Sequence, residues 1–108
     1  MIARIWHGRT PADEADAYVD YLRETGIATH ESTEGNRGDL VLRRVRDGVA
    51  DFLVISLWDG ETAVRRFAGP NPDVAVYFPE DDRFLLEKEP HCDHYEIVHA
   101  PSSLGPAG

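Results

Sequence analysis

Few side chains in this 108-residue chain are of a type that can do chemistry. His91, Cys92, Asp93 and His94 stand together, and cysteine and histidine are good zinc ligands. On an extended strand, however, successive side chains point to opposite faces, so His91 and His94 cannot reach one ion together. Only pairs two apart, such as Cys92 with His94, share a side, and Cys92 is the sole cysteine, so no metal site is expected. His7, His99, Tyr77, Asn71 and Arg83 are of types that take a proton from an acidic substrate or hydrogen-bond to the anion left behind. A single histidine is more often a surface residue than a base, so these positions count only where the fold gathers them. The acid run Glu80-Asp81-Asp82 reads as a solvated loop.

The frame that must position such residues is the stretch Phe52 to Gly69, FLVISLWDGETAVRRFAG. Phe52 to Leu57 reads as a strand, apolar at Leu53, Ile55 and Leu57 on one side and, with the residue that follows it, at Phe52, Val54 and Trp58 on the other. A strand with one wet face would alternate apolar with polar, so this one is expected to be covered on both. Asp59 is placed to cap a helix carrying Ala63, Val64, Phe67 and Ala68, which Gly69-Pro70 ends. Ser56 is the exception in the apolar run, and its hydroxyl needs a partner if buried. A ligand pocket is therefore expected against the face carrying Phe52, Val54, Ser56 and Trp58. There Trp58 serves either as a flat wall for an aromatic ligand or as a large core residue. Tyr77 and Phe78, in a loop between Pro72 and Pro79, are placed to close the opening.

Ahead of this stretch, Ile2 to His7 reads as a strand with apolar residues on both sides. Thr10-Pro11-Ala12-Asp13 opens a helix, with Thr10 as cap, on which Ala15, Tyr18, Val19 and Leu22 form one stripe. Gly26 ends that helix, and Ile27 to Gly38 is polar and glycine-punctuated, so a loop or an irregular edge segment is expected. Asp39 to Arg46 and Ala50 to Trp58 flank Asp47-Gly48, a strong hairpin signal. Asn71 and Pro72 suit the start of a short helical turn, and His91 to His99 reads as the last strand. The order β-α-β-β-α-β is the ferredoxin-like plan, in which the first and third strands lie at the centre of a four-stranded antiparallel sheet. His7 and Trp58 then fall toward opposite ends of that sheet. Two helices cover only one face, and a second copy of the chain is the simplest cover for the other.

Residues 1–99 are read as one domain and 100–108 (APSSLGPAG) as a flexible tail. Eleven basic against 20 acidic side chains give a formal charge of −9, which argues against nucleic acid or an anionic membrane surface as partner. No apolar run approaches membrane-span length and no secretory leader follows Met1, so a cytoplasmic protein is expected.

The start MIARIWHGRT, the arm GNRGDLVLRR and above all FLVISLWDGETAVRRFAG resemble the antibiotic biosynthesis monooxygenase-like group of dimeric α/β-barrel proteins. The resemblance runs from about Met1 to His99. It implies an α+β, ferredoxin-like protomer that pairs with a second copy into a dimeric α/β barrel, with a pocket between sheet and helices. It further implies a cofactor-independent monooxygenase acting on an aromatic or polycyclic small molecule such as a polyketide intermediate. His7, Tyr77 and Arg83 would be catalytic, and Phe52, Val54, Ser56, Trp58, Asn71 and Phe78 would bind substrate. The alternative is a non-catalytic binding or structural module on the same frame. Haem-degrading members use a first-strand asparagine and a histidine on the second helix. Ile2 to His7 holds no asparagine and no histidine lies between His30 and His91, so no haem or other cofactor is expected.

Overall fold

The computed structural model describes residues 1–105. Strand β1 (Ile2–Pro11) passes through a 3-10 turn (Ala12–Glu14) into helix α1 (Ala15–Glu24), and helix α2 (Gly26–Glu31) follows directly. Strands β2 (Asn36–Arg46) and β3 (Val49–Trp58) form a hairpin, then come α3 (Glu61–Ala68), a single turn α4 (Asp81–Phe84) and the short strand β4 (Asp93–Glu96). All pairings are antiparallel, and the sheet reads β2-β3-β1-β4 from edge to edge. The hairpin turns at Asp47 (φ 53°) and Gly48 (φ 76°). Both central residues are left-handed, which matches the turn to the twist of the strands it joins.

The sheet is open, and this overturns the dimeric α/β barrel and the fold assignment built on it. β2 and β4 are opposite edges of four strands and do not meet. Adjacent strands turn by only about 20–25° relative to one another, so four of them stay far from closure. β4 adds little, because it pairs only Ile2 to Ile5 of β1. The architecture is an α+β fold on an open, four-stranded antiparallel sheet.

Several local expectations also change. β1 runs on to Pro11, and Thr10 lies fully buried in the strand opposite Ala50 instead of capping a helix. Within Ile27 to Gly38, expected as loop, the chain forms α2. The hydroxyls of Thr25, Thr29 and Thr33 each donate to the carbonyl four residues back and tie one turn to the next. Gly60, not Asp59, stands at the start of α3, and Asp59 instead pairs with Arg37. Asn71 and Pro72 lie in a turn without helix, and the last strand is four residues long. Of the expected tail, Ser102–Leu104 forms a 3-10 turn whose Leu104 carbonyl accepts from Arg37 Nη1 at 2.8 Å, and residues 106–108 lie outside the described part.

β3 is apolar on both sides, but the side away from the helices is covered only in part, at Leu57. Ala50, Phe52, Val54, Ser56 and Trp58 face the helices and are buried. Tyr18 of α1 meets Phe52 edge-on at 5.1 Å and Phe84 of α4 at 5.4 Å, so the main core is an aromatic cluster under α1. A second cluster joins Trp58 to Ala63 and Val64 of α3. On the other side Leu53 is 37% exposed, with Leu40, Leu42 and Tyr95 more so. No helix among the described residues is long and apolar enough to cross a membrane.

Gly8 makes one packing demand explicit, since a Cβ there would lie 2.1 Å from Cη2 of Trp6. Gly8→Ala is therefore expected to displace the Trp6 ring and to cost about 1–3 kcal/mol of stability, as read by urea denaturation. A substitution with no effect would mean that the indole does not lie over residue 8.

Candidate functional site

Alternation along β1 and β3 sends Arg4, Trp6, Val54 and Ser56 to the helix side of the sheet, where they floor a cavity. Tyr18 and Leu22 of α1 and Ile27 and His30 of α2 form its roof, while Phe67, Tyr77 and Phe78 close its sides. The cavity, a slot of about 50 Å³ partly open to solvent, admits only a small guest.

One end of the slot holds a buried acid–base pair. His30 Nδ1 lies 2.5 Å from Asp39 Oδ2, and both side chains are almost wholly enclosed, at 8% and 2% exposure. Asp39 arrives there through an irregularity in β2. Asn36 pairs with Trp58 and Asp39 with Ser56, so three steps on β2 match two on β3. The extra residue is accommodated at Gly38 (φ 108°), and the carboxylate turns inward in place of residue 38. Asn36 Nδ2 donates to Asp39 Oδ1 at 3.3 Å and steadies it. The His30 ring is wedged edge-on between Trp58 (5.5 Å) and Phe67 (4.4 Å).

The floor carries a buried cation. Arg4, 3% exposed, donates to the carbonyls of Pro72 and Val74 and lies 3.0 Å from His94 Nε2. Burial lowers its pKa, with nearby Asp73 pulling the other way, yet an arginine stays protonated in such a site. Its hydrogen bonds among the described residues go to carbonyls and an imidazole and to no carboxylate, Asp73 acts on it only through space, and its side chain borders the slot. Burial raises the pKa of Tyr18, Tyr77 and Cys92, which keeps them neutral, and raises that of Asp81, whose Oδ2 accepts the Phe78 N–H at 2.5 Å.

The residues expected from sequence are distributed unevenly around this slot. Val54, Ser56, Tyr77 and Phe78 line it. Phe52 sits deeper in the aromatic core and Trp58 stands behind His30, stacked on Phe67 at 5.9 Å. Ser56 finds its partners inside the protein: its hydroxyl accepts from Trp58 Nε1 at 2.9 Å and lies 3.5 Å from the Arg4 carbonyl. Asn71 is exposed on its turn, and Arg83 is exposed over the Phe84 ring. Tyr77 is held at both ends of its hydroxyl, accepting from Trp6 Nε1 at 3.3 Å and donating to the Glu89 carbonyl at 2.5 Å. His7, Tyr77 and Arg83 are thus not brought to one point, because His7 projects from the opposite face of β1. His91 is exposed, while Cys92 lines the slot and His94 packs beside Arg4. Among the described residues no three of His, Cys, Asp and Glu are grouped to hold a metal ion.

Sequence reading missed Arg4, Trp6 and His30, which line the slot, and Asp39, which holds His30 from behind. Two signals were present. Arg4 is a lone charge in a strand otherwise apolar on both sides, and Ile27 with His30 repeats at helical spacing inside a segment that looked like loop.

No family model matches this chain, and no curated protein matches it. With the sheet open as well, membership of the antibiotic biosynthesis monooxygenase-like group is not upheld. The motif that suggested it, FLVISLWDGETAVRRFAG, consists of core and turn residues that many strand-to-helix passages share.

On the outer face His7 lies between two carboxylates, Glu89 Oε2 at 2.5 Å from Nδ1 and Asp51 Oδ1 at 3.2 Å from Nε2. Partial burial opposes protonation, but the hydrogen bonds and charges of Glu89 and Asp51 outweigh it and raise the pKa. The stabilisation is full below the unfolded-state value of about 6.5 and fades as pH rises through the higher folded value. His7→Gln should therefore reduce stability at about pH 5.5 and much less at about pH 8.5. The difference should stay below about 1 kcal/mol because the group is partly exposed. Equal losses at the two pH values in urea titrations would contradict this.

Proposed function

We propose that this protein binds a small, flat aromatic molecule in the slot between sheet and helices. The observation that carries the reading is the slot itself: small, walled by Trp6, Tyr18, Tyr77, Phe78 and Phe67, and supplied with few polar groups. Aromatic walls favour a planar guest through offset and edge-on ring contacts, and sparse convergent polar groups set its orientation. The small volume favours one ring over a polycyclic skeleton.

Cofactor-independent oxygenation is a second reading, and one observation favours it. A base of suitable type, His30, and a buried cation, Arg4, border the same slot. In such a reaction a ring CH₂ flanked by activating groups loses a proton. The resulting anion then takes up dioxygen, leaving a carbonyl and releasing water. Dioxygen uptake in an oxygen electrode with an anthrone-like or phenolic substrate tests this, and binding without uptake leaves a binding protein.

The exposed apolar face of the sheet is covered, on this reading, by a second copy of the chain. Leu40, Leu42, Leu53 and Tyr95 form an apolar stretch across three strands. A two-fold contact places such a surface against itself. A stable contact of this kind buries at least about 1,200 Å² in total.

Two measurements follow. Ile27→Trp projects a large ring into the slot and should weaken binding of planar aromatic probes at least about tenfold, or 1.4 kcal/mol, with the far-ultraviolet spectrum retained. Unchanged binding would place the ligand elsewhere. Leu53→Glu should shift the light-scattering mass from about two chains to one; a wild-type monomer at micromolar concentration would remove the self-association.

A further inference from the structure

We propose that His30, held by Asp39, is a general base for a hydroxyl group on the bound ring, with Arg4 as the counter-charge for the oxyanion formed. This rests on the slot being the aromatic site and adds which ring it takes: one bearing an acidic hydroxyl. A carboxylate only accepts hydrogen bonds, so the proton shared with Asp39 sits on Nδ1 of His30. The lone pair is then on Nε2. No hydrogen-bond partner for Nε2 occurs among the described residues, and none of their buried side-chain nitrogens or oxygens is left unpaired. Nε2 therefore opens onto accessible space, and His30 lines the slot.

The ring is also fixed in direction, by Trp58 and Phe67 on its flanks and by Asp39 at its back. A merely structural tie between α2 and β2 would be served by any buried hydrogen bond. This one ends in a carboxylate, which stabilises an imidazolium once it forms. In the step, the O–H bond of the ring hydroxyl breaks and its electron pair stays on oxygen. The proton goes to Nε2, and a neutral pair becomes imidazolium and oxyanion. Arg4, across the slot floor, offers charge to that oxyanion. Of the other ionisable groups on the slot, Tyr18 and Tyr77 and the Cys92 thiol are neutral, and Asp81 already accepts the Phe78 N–H.

The test uses 4-nitrophenol, whose anion absorbs in the visible, beside its methyl ether 4-nitroanisole, which has no proton to give. At a pH where free 4-nitrophenol is mostly neutral, the wild-type protein should bind both and raise the phenolate-to-phenol ratio of the bound phenol about tenfold, one pKa unit. With 4-nitrophenol at saturating concentration, His30→Gln should lose the phenolate band, slot occupancy being read separately with 4-nitroanisole. Asp39→Asn keeps the shape of the pair without its charge and should lower the band per bound phenol, which also secures the test if His30→Gln fails to fold. Failure of the wild type to bind 4-nitroanisole would overturn the aromatic site itself. Binding with no phenolate band, or with a band that survives both substitutions, would overturn the base and leave the site standing.

Discussion

The register of β3 is the constraint on which the other features depend. It is hydrogen-bonded along its length to β1 on one side and β2 on the other. A shift of one residue would send Phe52, Val54, Ser56 and Trp58 to the open face and Leu53, Ile55 and Leu57 under the helices. Both sets are apolar, so hydrophobicity alone discriminates weakly between them. Shape and polar pairing decide instead. Trp58 places its N–H on Ser56, and the three-for-two step at Gly38 brings Asp39 opposite Ser56 and within reach of His30.

Polar groups inside a small domain are costly to keep. An unpaired buried charge costs several kcal/mol, and an apolar replacement of a buried ion pair is often no less stable. This chain nevertheless encloses a guanidinium, an imidazole and a carboxylate around one slot. It satisfies them with backbone carbonyls, Asn36 and one another, leaving no described buried side-chain polar atom without a partner. Such an arrangement organises a site at the expense of a simpler core.

The sequence made the elements legible where pattern and punctuation agreed. The Asp47-Gly48 hairpin, the apolar third strand and the helix that ends at Gly69 all carry strong local signals. The slot was half legible, because Ser56 and the aromatic pair Tyr77 and Phe78 stand out as types. His30 and Asp39 did not stand out. α2 is six residues long, held by threonine hydroxyls more than by propensity, and Asp39 owes its direction to an irregular pairing that no periodicity encodes. His7 was misleading for the converse reason: β1 alternates, and the histidine follows Trp6 onto the far side. The barrel expected from resemblance failed because core and turn residues report a local passage from strand to helix, and closure is a property of the whole sheet.

Residue 89 reaches both faces of β1. Its carboxylate holds His7 on the outer face, and its carbonyl takes the hydroxyl of Tyr77, which in turn receives the N–H of Trp6 at the slot. Trp6 and His7 are adjacent along β1, so the segment at Glu89 grips the strand from both sides like a clasp. Leu86 fastens it further through a backbone bond to Arg9. A clasp gripped on both sides cannot be lifted from one side alone. Moving Tyr77 away from the slot breaks its hydrogen bond to the Glu89 carbonyl, so the residue that holds His7 loses one of its ties.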